Sequence, residues 1–112
     1  MVKWAGDKPL LLQEVGYPAA ESLGSSEAAQ AEFVANVFKA WDADAAHIPF
    51  LSYFALGDFS DDLCKSLTSY YGLPQEQHFY DYLCTLGLLK ADGTPRQAWQ
   101  TFADLGHGLL KP

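Results

Sequence analysis

The strongest constraint on the fold is a pattern of two short apolar runs separated by one amphipathic segment. The first run covers residues 8–16 and ends in a Gly-Tyr-Pro turn, and the second covers residues 48–56 with its proline near the leading end. Continuous apolar runs bounded by turn residues are typical of strands in a parallel sheet that is buried on both faces. The segment between them, about residues 26–42, can be capped by Ser25 or Ser26 and has apolar side chains at helical spacing. These are Val34, Val37, Phe38 and Trp41. The pattern predicts a right-handed βαβ unit.

The rest of the chain predicts helices. Ser60 is a good helix cap, and Gly72-Leu73-Pro74 ends the helix that follows it. A further helix is expected over about residues 75–86. Thr94-Pro95-Arg96-Gln97 has the residue order of a capping box at the start of the last helix. The predicted order is therefore β-α-β, a helical insertion and a closing α-helix, in a single α/β unit spanning residues 1–112.

Charge and hydropathy exclude several classes of partner. The chain has seven Lys plus Arg against fourteen Asp plus Glu, with a formal net charge of −7. Nucleic-acid affinity depends on counterion release by basic side chains, so neither nucleic acid nor an anionic membrane is expected as a partner. No apolar stretch is long enough to predict a membrane span. The sequence does not assign a cellular compartment.

The cysteines and histidines give no sign of a metal or cofactor site. Cys64 and Cys84 are the only cysteines, and the pattern favours two part-buried thiols over a disulfide or a reactive pair. The three histidines lie in unrelated contexts about thirty residues apart, so they are poor candidates for metal ligands. We therefore predict neither a metal nor a cofactor.

Three segments, in this order, resemble the end of clan A glycoside hydrolases, which are retaining enzymes with a (β/α)₈ barrel, also called a TIM barrel. Residues 9–18 are similar to the seventh-strand pattern of apolar residues, Glu-x-Gly, an aromatic residue and proline. Residues 54–58 are similar to the eighth-strand pattern of an aromatic residue, an apolar pair and Asp. Gly87-Leu88-Leu89 with residues 92–98 looks like the segment that precedes the last barrel helix. The combination covers about residues 8–105.

This resemblance implies a role in hydrolysis of O-glycosidic bonds, with a carbohydrate as substrate. Glu14 matches the nucleophile at the carboxyl end of strand seven. Phe54 matches the aromatic platform under the sugar ring, where the family more often has Trp, and Tyr17 and Tyr53 are assigned to substrate binding beside it. Side chains alternate along a strand, so Leu10, Leu12 and Glu14 are expected on the face that points into the barrel. Gly16 is expected to let the backbone turn out of the barrel.

The resembled enzymes also need an acid/base carboxyl, which they carry in an Asn-Glu pair at the end of strand four. This chain has no Asn-Glu pair, since Val37 follows its single asparagine, Asn36. A complete barrel needs roughly 200 residues or more. We therefore expect a C-terminal fragment, about a quarter of the barrel, that is inactive alone. Its expected partners are the missing N-terminal part of the barrel or further copies of itself.

Other interpretations remain open. Glu14 could be a solvated carboxylate at a strand end, and the whole chain could be a small non-catalytic α/β module that binds carbohydrate or protein and self-associates. Asp58 is expected to stabilise a loop or a helix entry rather than to act in catalysis. Trp41 and Trp99 lie on helical stripes and are expected in the core. Four other aromatic residues could line a sugar cleft or cover the insertion. They are Trp4, Tyr70, Tyr71 and Tyr80.

Overall fold

The computed structural model describes residues 1–109. Its elements follow the predicted order after a short leading helix. They are α1 (Val2–Ala5), β1 (Leu11–Val15), a 3₁₀ turn (Glu21–Leu23), α2 (Glu27–Ala43), β2 (Phe50–Tyr53), α3 (Asp61–Tyr70), α4 (Gln77–Leu83) and α5 (Gln97–Leu109). No helix within residues 1–109 is long and apolar enough to cross a bilayer.

The two strands form the parallel pair that the sequence predicts, with α2 as the crossover. Leu11 pairs with Phe50 and Leu12 with Leu51. Beyond the strand ends, the amide of Phe54 donates to the carbonyl of Val15 at 2.8 Å. The chain after β2 then runs beside residues 86–89 and forms a parallel bridge there. The protein is thus a mixed α/β fold around a short parallel sheet.

A β-bulge in β1 changes the face on which Glu14 lies. Three residue steps from Leu12 to Val15 stand opposite only two steps in β2, from Leu51 to Tyr53. An extra residue in one strand interrupts the period-two alternation of side chains. Leu12 and Val15 therefore both line the groove under α2, whereas Glu14 lines a different groove. The prediction that Leu12 and Glu14 share one face is wrong.

Two of the three predicted helix caps form. The hydroxyl of Ser26 accepts the amide of Ala29 at 3.1 Å at the start of α2, and Ser60 accepts the amide of Leu63 at 3.3 Å at the start of α3. Thr94 does not form the predicted capping box, because α5 begins only at Gln97. The backbone of Thr94 instead accepts a hydrogen bond from Lys90 at 2.8 Å. Backbone pairing of residues 94–96 with residues 88–90 replaces the local cap.

The core lies between the sheet, α2 and α5. Its most buried members are Val34, Phe38, Leu88 and Ala98. Trp41 and Trp99 pack against this cluster, as their helical spacing predicts. The indole of Trp41 also donates to the carbonyl of Ile48 at 2.7 Å, which ties the end of α2 to the chain entering β2.

The insertion after β2 consists of α3 and α4, and we call residues 59–86 the excursion. A disulfide between Cys64 and Cys84 joins α3 to the end of α4, so the prediction of two separate thiols is wrong. The packing of α3 against α4 brings together two side chains that lie twenty residues apart in sequence. Cys64 is fully buried and bonded, where a part-buried free thiol was predicted.

Candidate functional site

A groove of about 660 Å³ opens at the carboxyl ends of the two strands. β1 contributes Glu14 to it, and the chain leaving β2 contributes Phe54. The carboxyl ends of parallel strands meet at one edge of a sheet, so two residues that are forty positions apart in the sequence line one surface. Glu14 is exposed there, and the three ion pairs among residues 1–109 do not involve it.

The need for glycine at position 16 is steric and does not come from the predicted turn. A Cβ atom at this position would collide with the carbonyl oxygen of Phe54, and its backbone does not have positive φ. The glycine therefore permits the close approach of the two strand ends rather than a left-handed turn. This approach holds Glu14 and Phe54 on the same side of the sheet.

The opposite wall of the groove belongs to the excursion and is rich in aromatic residues. Tyr71 meets Phe79 edge to face, with ring centroids 5.6 Å apart. Near the strands, Phe59 packs edge to face on Phe54 at 5.8 Å. The lining residues on this wall are Phe59, Leu67, Tyr71, Leu73, Phe79, Tyr82, Leu83 and Leu86. None of them was predicted as a site residue from the sequence, although Tyr71 was among the aromatic residues that could line a sugar cleft.

Polar contacts brace the excursion in addition to the disulfide. The phenol of Tyr80 on α4 donates to the carboxylate of Asp61 at the start of α3. Lys65 also donates to Asp61, and the hydrogen bonds from Lys65 and Tyr80 lower the pKa of this carboxyl. Asp81 accepts a hydrogen bond from Ser22 at 2.5 Å, which links α4 to the 3₁₀ turn after β1. Tyr80 thus holds the excursion together and is not among the residues that line the groove.

Asp58 forms a buried ion pair behind the groove. Both its carboxylate oxygens accept from the guanidinium of Arg96, at 2.8 and 2.7 Å, and the amide of Gly87 donates to it at 2.8 Å. Each of the two side chains is less than a tenth exposed. Asp58 therefore stabilises loops, as predicted, since it ties the chain that follows β2 to the segment that enters α5.

The structure does not bring Tyr17 or Tyr53 to the groove. The ring of Tyr17 stacks on Phe33 of α2 at 5.0 Å. Tyr53 packs against the core, and its ring centroid lies 5.9 Å from that of Phe102 in α5. Burial raises the pKa of the Tyr53 hydroxyl to about 12, an effect that the Tyr17 backbone and the charge of Arg96 partly offset. Of the four residues predicted for catalysis and substrate binding, Glu14 and Phe54 are brought together.

Gln30 is another residue that sequence reasoning missed. It is fully buried in α2, and its amide nitrogen donates to the carbonyls of Tyr17 at 2.9 Å and Gly87 at 3.2 Å. These bonds join the loop after β1 to the segment after α4. A glutamine one helical turn before Val34, on the apolar stripe of α2, is the signal that could have revealed it. Within residues 1–109, no group of three or more His, Cys, Asp or Glu side chains is placed to hold a metal ion.

Comparisons with known proteins find a likeness among solved structures. No family profile matches the chain, and a search of curated proteins finds no match. Among solved structures, the chain is similar to the crystal structure of GH5_18 from Streptomyces cattleya in complex with GlcNAc, with a TM-score of 0.63 and 22% identity. The match covers 93% of this chain and 21% of that chain, so this chain spans about a fifth of its neighbour's length. The chain is therefore a mixed α/β fold that resembles part of the TIM barrel of this family 5 glycoside hydrolase.

Proposed function

We propose that this chain forms the seventh and eighth βα units of a retaining (β/α)₈ glycoside hydrolase and supplies its nucleophile, Glu14. In a retaining enzyme, one carboxylate attacks the anomeric carbon while a second carboxyl protonates the leaving oxygen and then activates water. The position of Glu14 at the carboxyl end of a parallel strand, in one groove with Phe54, is the observation that carries this proposal. Active sites of this fold lie at that end of the barrel.

The proposal assigns Phe54 to the floor of the sugar site. Its ring lines the groove beside Glu14 and is held edge to face by Phe59. Apolar C–H faces of sugar rings pack well on aromatic rings, which also fix their orientation. The structural neighbour was crystallised with GlcNAc, which makes that sugar a reasonable first ligand to test here.

The second carboxyl is proposed to come from another part of the barrel. Glu14 is the only Asp or Glu among the residues that line the groove. Without an acid/base, neither departure of the leaving group nor attack by water is assisted. We therefore propose that the 112-residue chain is inactive alone and that its partner is the N-terminal part of the barrel.

A chimeric enzyme tests the role of Glu14. The matched segment of the Streptomyces cattleya protein is replaced by residues 1–112, and hydrolysis of a panel of aryl glycosides is measured. Glu14→Gln is nearly isosteric and removes the nucleophile, so it should reduce kcat on the order of 10³-fold or more. The matched control is Glu32→Gln, because Glu32 is exposed on α2 outside the groove.

The proposal is wrong if the folded chimera keeps near-native kcat after Glu14→Gln. It is equally contradicted if the isolated chain hydrolyses aryl glycosides well above the buffer rate and Glu14→Ala abolishes that activity, because a second carboxyl from the barrel would then be unnecessary.

A further inference from the structure

We propose that Gln30 on α2 is a positioning residue for Glu14. Its buried amide holds the loop that follows β1 against the segment that follows α4, and this contact fixes where the Glu14 carboxylate stands in the groove. The inference rests on the proposed function, because the group that Gln30 positions is the proposed nucleophile. Gln30 does not line the groove, so it acts through the backbone and not on the substrate.

The side chain of Gln30 is fully buried and its amide nitrogen faces a cluster of backbone carbonyls. This nitrogen lies 2.9 Å from the oxygen of Tyr17 and 3.2 Å from that of Gly87. The oxygens of Thr85 and Leu86 follow at 3.3 and 3.4 Å. One donor group therefore serves carbonyls from two segments that are far apart in the sequence.

The other end of the Gln30 amide shows which group the position needs. Its oxygen is buried and accepts no hydrogen bond within residues 1–109. A buried acceptor without a partner costs free energy, and a flipped amide would place this oxygen against carbonyl oxygens that cannot donate. The other buried residues of α2, Val34 and Phe38, are apolar. Gln30 is thus kept on this face for its N–H donors.

The Tyr17 carbonyl is an anchor for the backbone that carries Glu14. The carbonyl of Val15 accepts the amide of Phe54 at 2.8 Å, and two positions further on Gln30 holds the carbonyl of Tyr17. Within the described part of the chain, Glu14 takes part in no ion pair. The direction of its carboxylate therefore depends on the backbone of the strand end.

The second anchor, Gly87, belongs to a firmly held part of the fold. Its carbonyl also accepts from Arg96 at 2.9 Å, and its amide donates to Asp58 at 2.8 Å. A Cβ atom here would collide with the backbone amide of Asp58. Gln30 thus ties the end of β1 to a segment that buried polar contacts already fix, and such contacts are strong where water is excluded.

Hydrogen exchange of the 112-residue chain tests this contact. Gln30→Met removes the N–H donors and keeps a long side chain. The amide of Ala19, which donates to the carbonyl of Thr85 at 2.9 Å, should then exchange about tenfold faster, because the loop opens more often. The matched control is Phe38→Leu, since Phe38 lies two turns further along α2 and packs on Phe102. The control should change exchange at Ala19 by less than about twofold. Native exchange in Gln30→Met, or an equal rise in both variants, overturns the proposal.

The chimera that tests the proposed function measures the consequence for Glu14, with the rest of the barrel supporting the fold. Gln30→Met should lower kcat about 30-fold and leave KM within about threefold, because a displaced nucleophile slows bond formation without changing substrate contacts. Phe38→Leu should lower the urea midpoint but leave kcat within about twofold, which separates positioning from stability. An equal loss of kcat in both variants contradicts a positioning role.

A fluorinated glycoside with a dinitrophenyl leaving group isolates the first chemical step. The carboxylate of Glu14 forms an ester bond to the anomeric carbon while the bond to dinitrophenolate breaks, and that anion leaves with the electron pair and needs no proton. Mass spectrometry should show labelling of Glu14 slowed about 30-fold in Gln30→Met. If Glu14→Gln abolishes turnover but Gln30→Met keeps the native kcat and labelling rate, the nucleophile stands and the positioning role is wrong. If Glu14→Gln keeps near-native kcat, the proposed function fails and this inference fails with it.

Discussion

At the residue scale, the contacts around Asp58 and Gly16 determine which residue type each position can hold. A buried carboxylate is tolerated only when it is paired and hydrogen-bonded. Asp58 satisfies this requirement with both oxygens, through Arg96 and the amide of Gly87. Gly16 has no room for a side chain because the carbonyl of Phe54 occupies the space. Gly16 thus fixes the approach of the two strand ends, and Asp58 fixes the chain that follows β2.

Replacing Asp58 with Asn should destabilise the fold by about 3 kcal/mol or more, because Arg96 would keep a buried charge without its partner. The amide oxygen of Asn can still accept from Gly87, so the loss reports the ion pair. Urea unfolding followed by circular dichroism measures the change. Asp62→Asn is the control, since Asp62 is exposed in the first turn of α3 and should change stability by less than about 0.5 kcal/mol. Similar stabilities for the two variants would contradict the assigned role of Asp58.

At the element scale, the excursion is stabilised mainly by links between α3 and α4. Few of its side chains are deeply buried, with Cys64, Thr68, Leu83 and Leu86 as the chief exceptions. Such a small apolar cluster provides little stability, so a covalent link matters more here than in the main core. The disulfide thus supports the aromatic wall of the groove.

Reduction of the Cys64–Cys84 bond should lower the free energy of unfolding by about 3 kcal/mol, since the bond closes a loop of roughly twenty residues. Urea unfolding with and without dithiothreitol measures the effect. In the Cys64→Ala/Cys84→Ala variant, dithiothreitol should have no effect. Alkylation of both cysteines in the native, unreduced chain, detected by mass spectrometry, would show that the bond does not form.

At the scale of the whole molecule, the short sheet exposes apolar side chains on both strands. Leu11 is 56% exposed and Phe50 is 49% exposed, and within residues 1–109 β1 pairs only with β2. A two-stranded sheet is seldom stable alone, and its open edges offer backbone groups to other chains. These surfaces fit the proposed partners, the rest of a barrel or further copies of this chain.

We expect the chain to associate at micromolar concentration. Leu11→Lys should shift it towards the monomer, because a charge on an edge strand opposes pairing with another chain. Light scattering over a concentration series measures the change. Leu63→Lys is the control, since Leu63 is 44% exposed on α3, away from the sheet. A folded native monomer across the whole series would refute the expectation.

The sequence alone determined the features that depend on neighbours along the chain. Continuous apolar runs predicted β1 and β2, and apolar side chains at helical spacing predicted α2. Ser25 or Ser26, and Ser60, marked two helix starts, because caps form within one helical turn. Together with the family resemblance, the positions of Glu14 and Phe54 after two apolar runs predicted that both lie at the same edge of the sheet.

Only the tertiary structure decided the features that join distant segments. Asp58 and Arg96 form their ion pair although they are 38 residues apart. Backbone pairing of residues 94–96 with residues 88–90 displaced the predicted cap at Thr94. The bulge in β1 arose from its register with β2, which no local pattern encodes. Packing of α3 on α4 paired the cysteines, and packing of β2 against α5 took Tyr53 into the core. Such contacts are set by where the elements meet in space, so one-dimensional patterns do not reveal them.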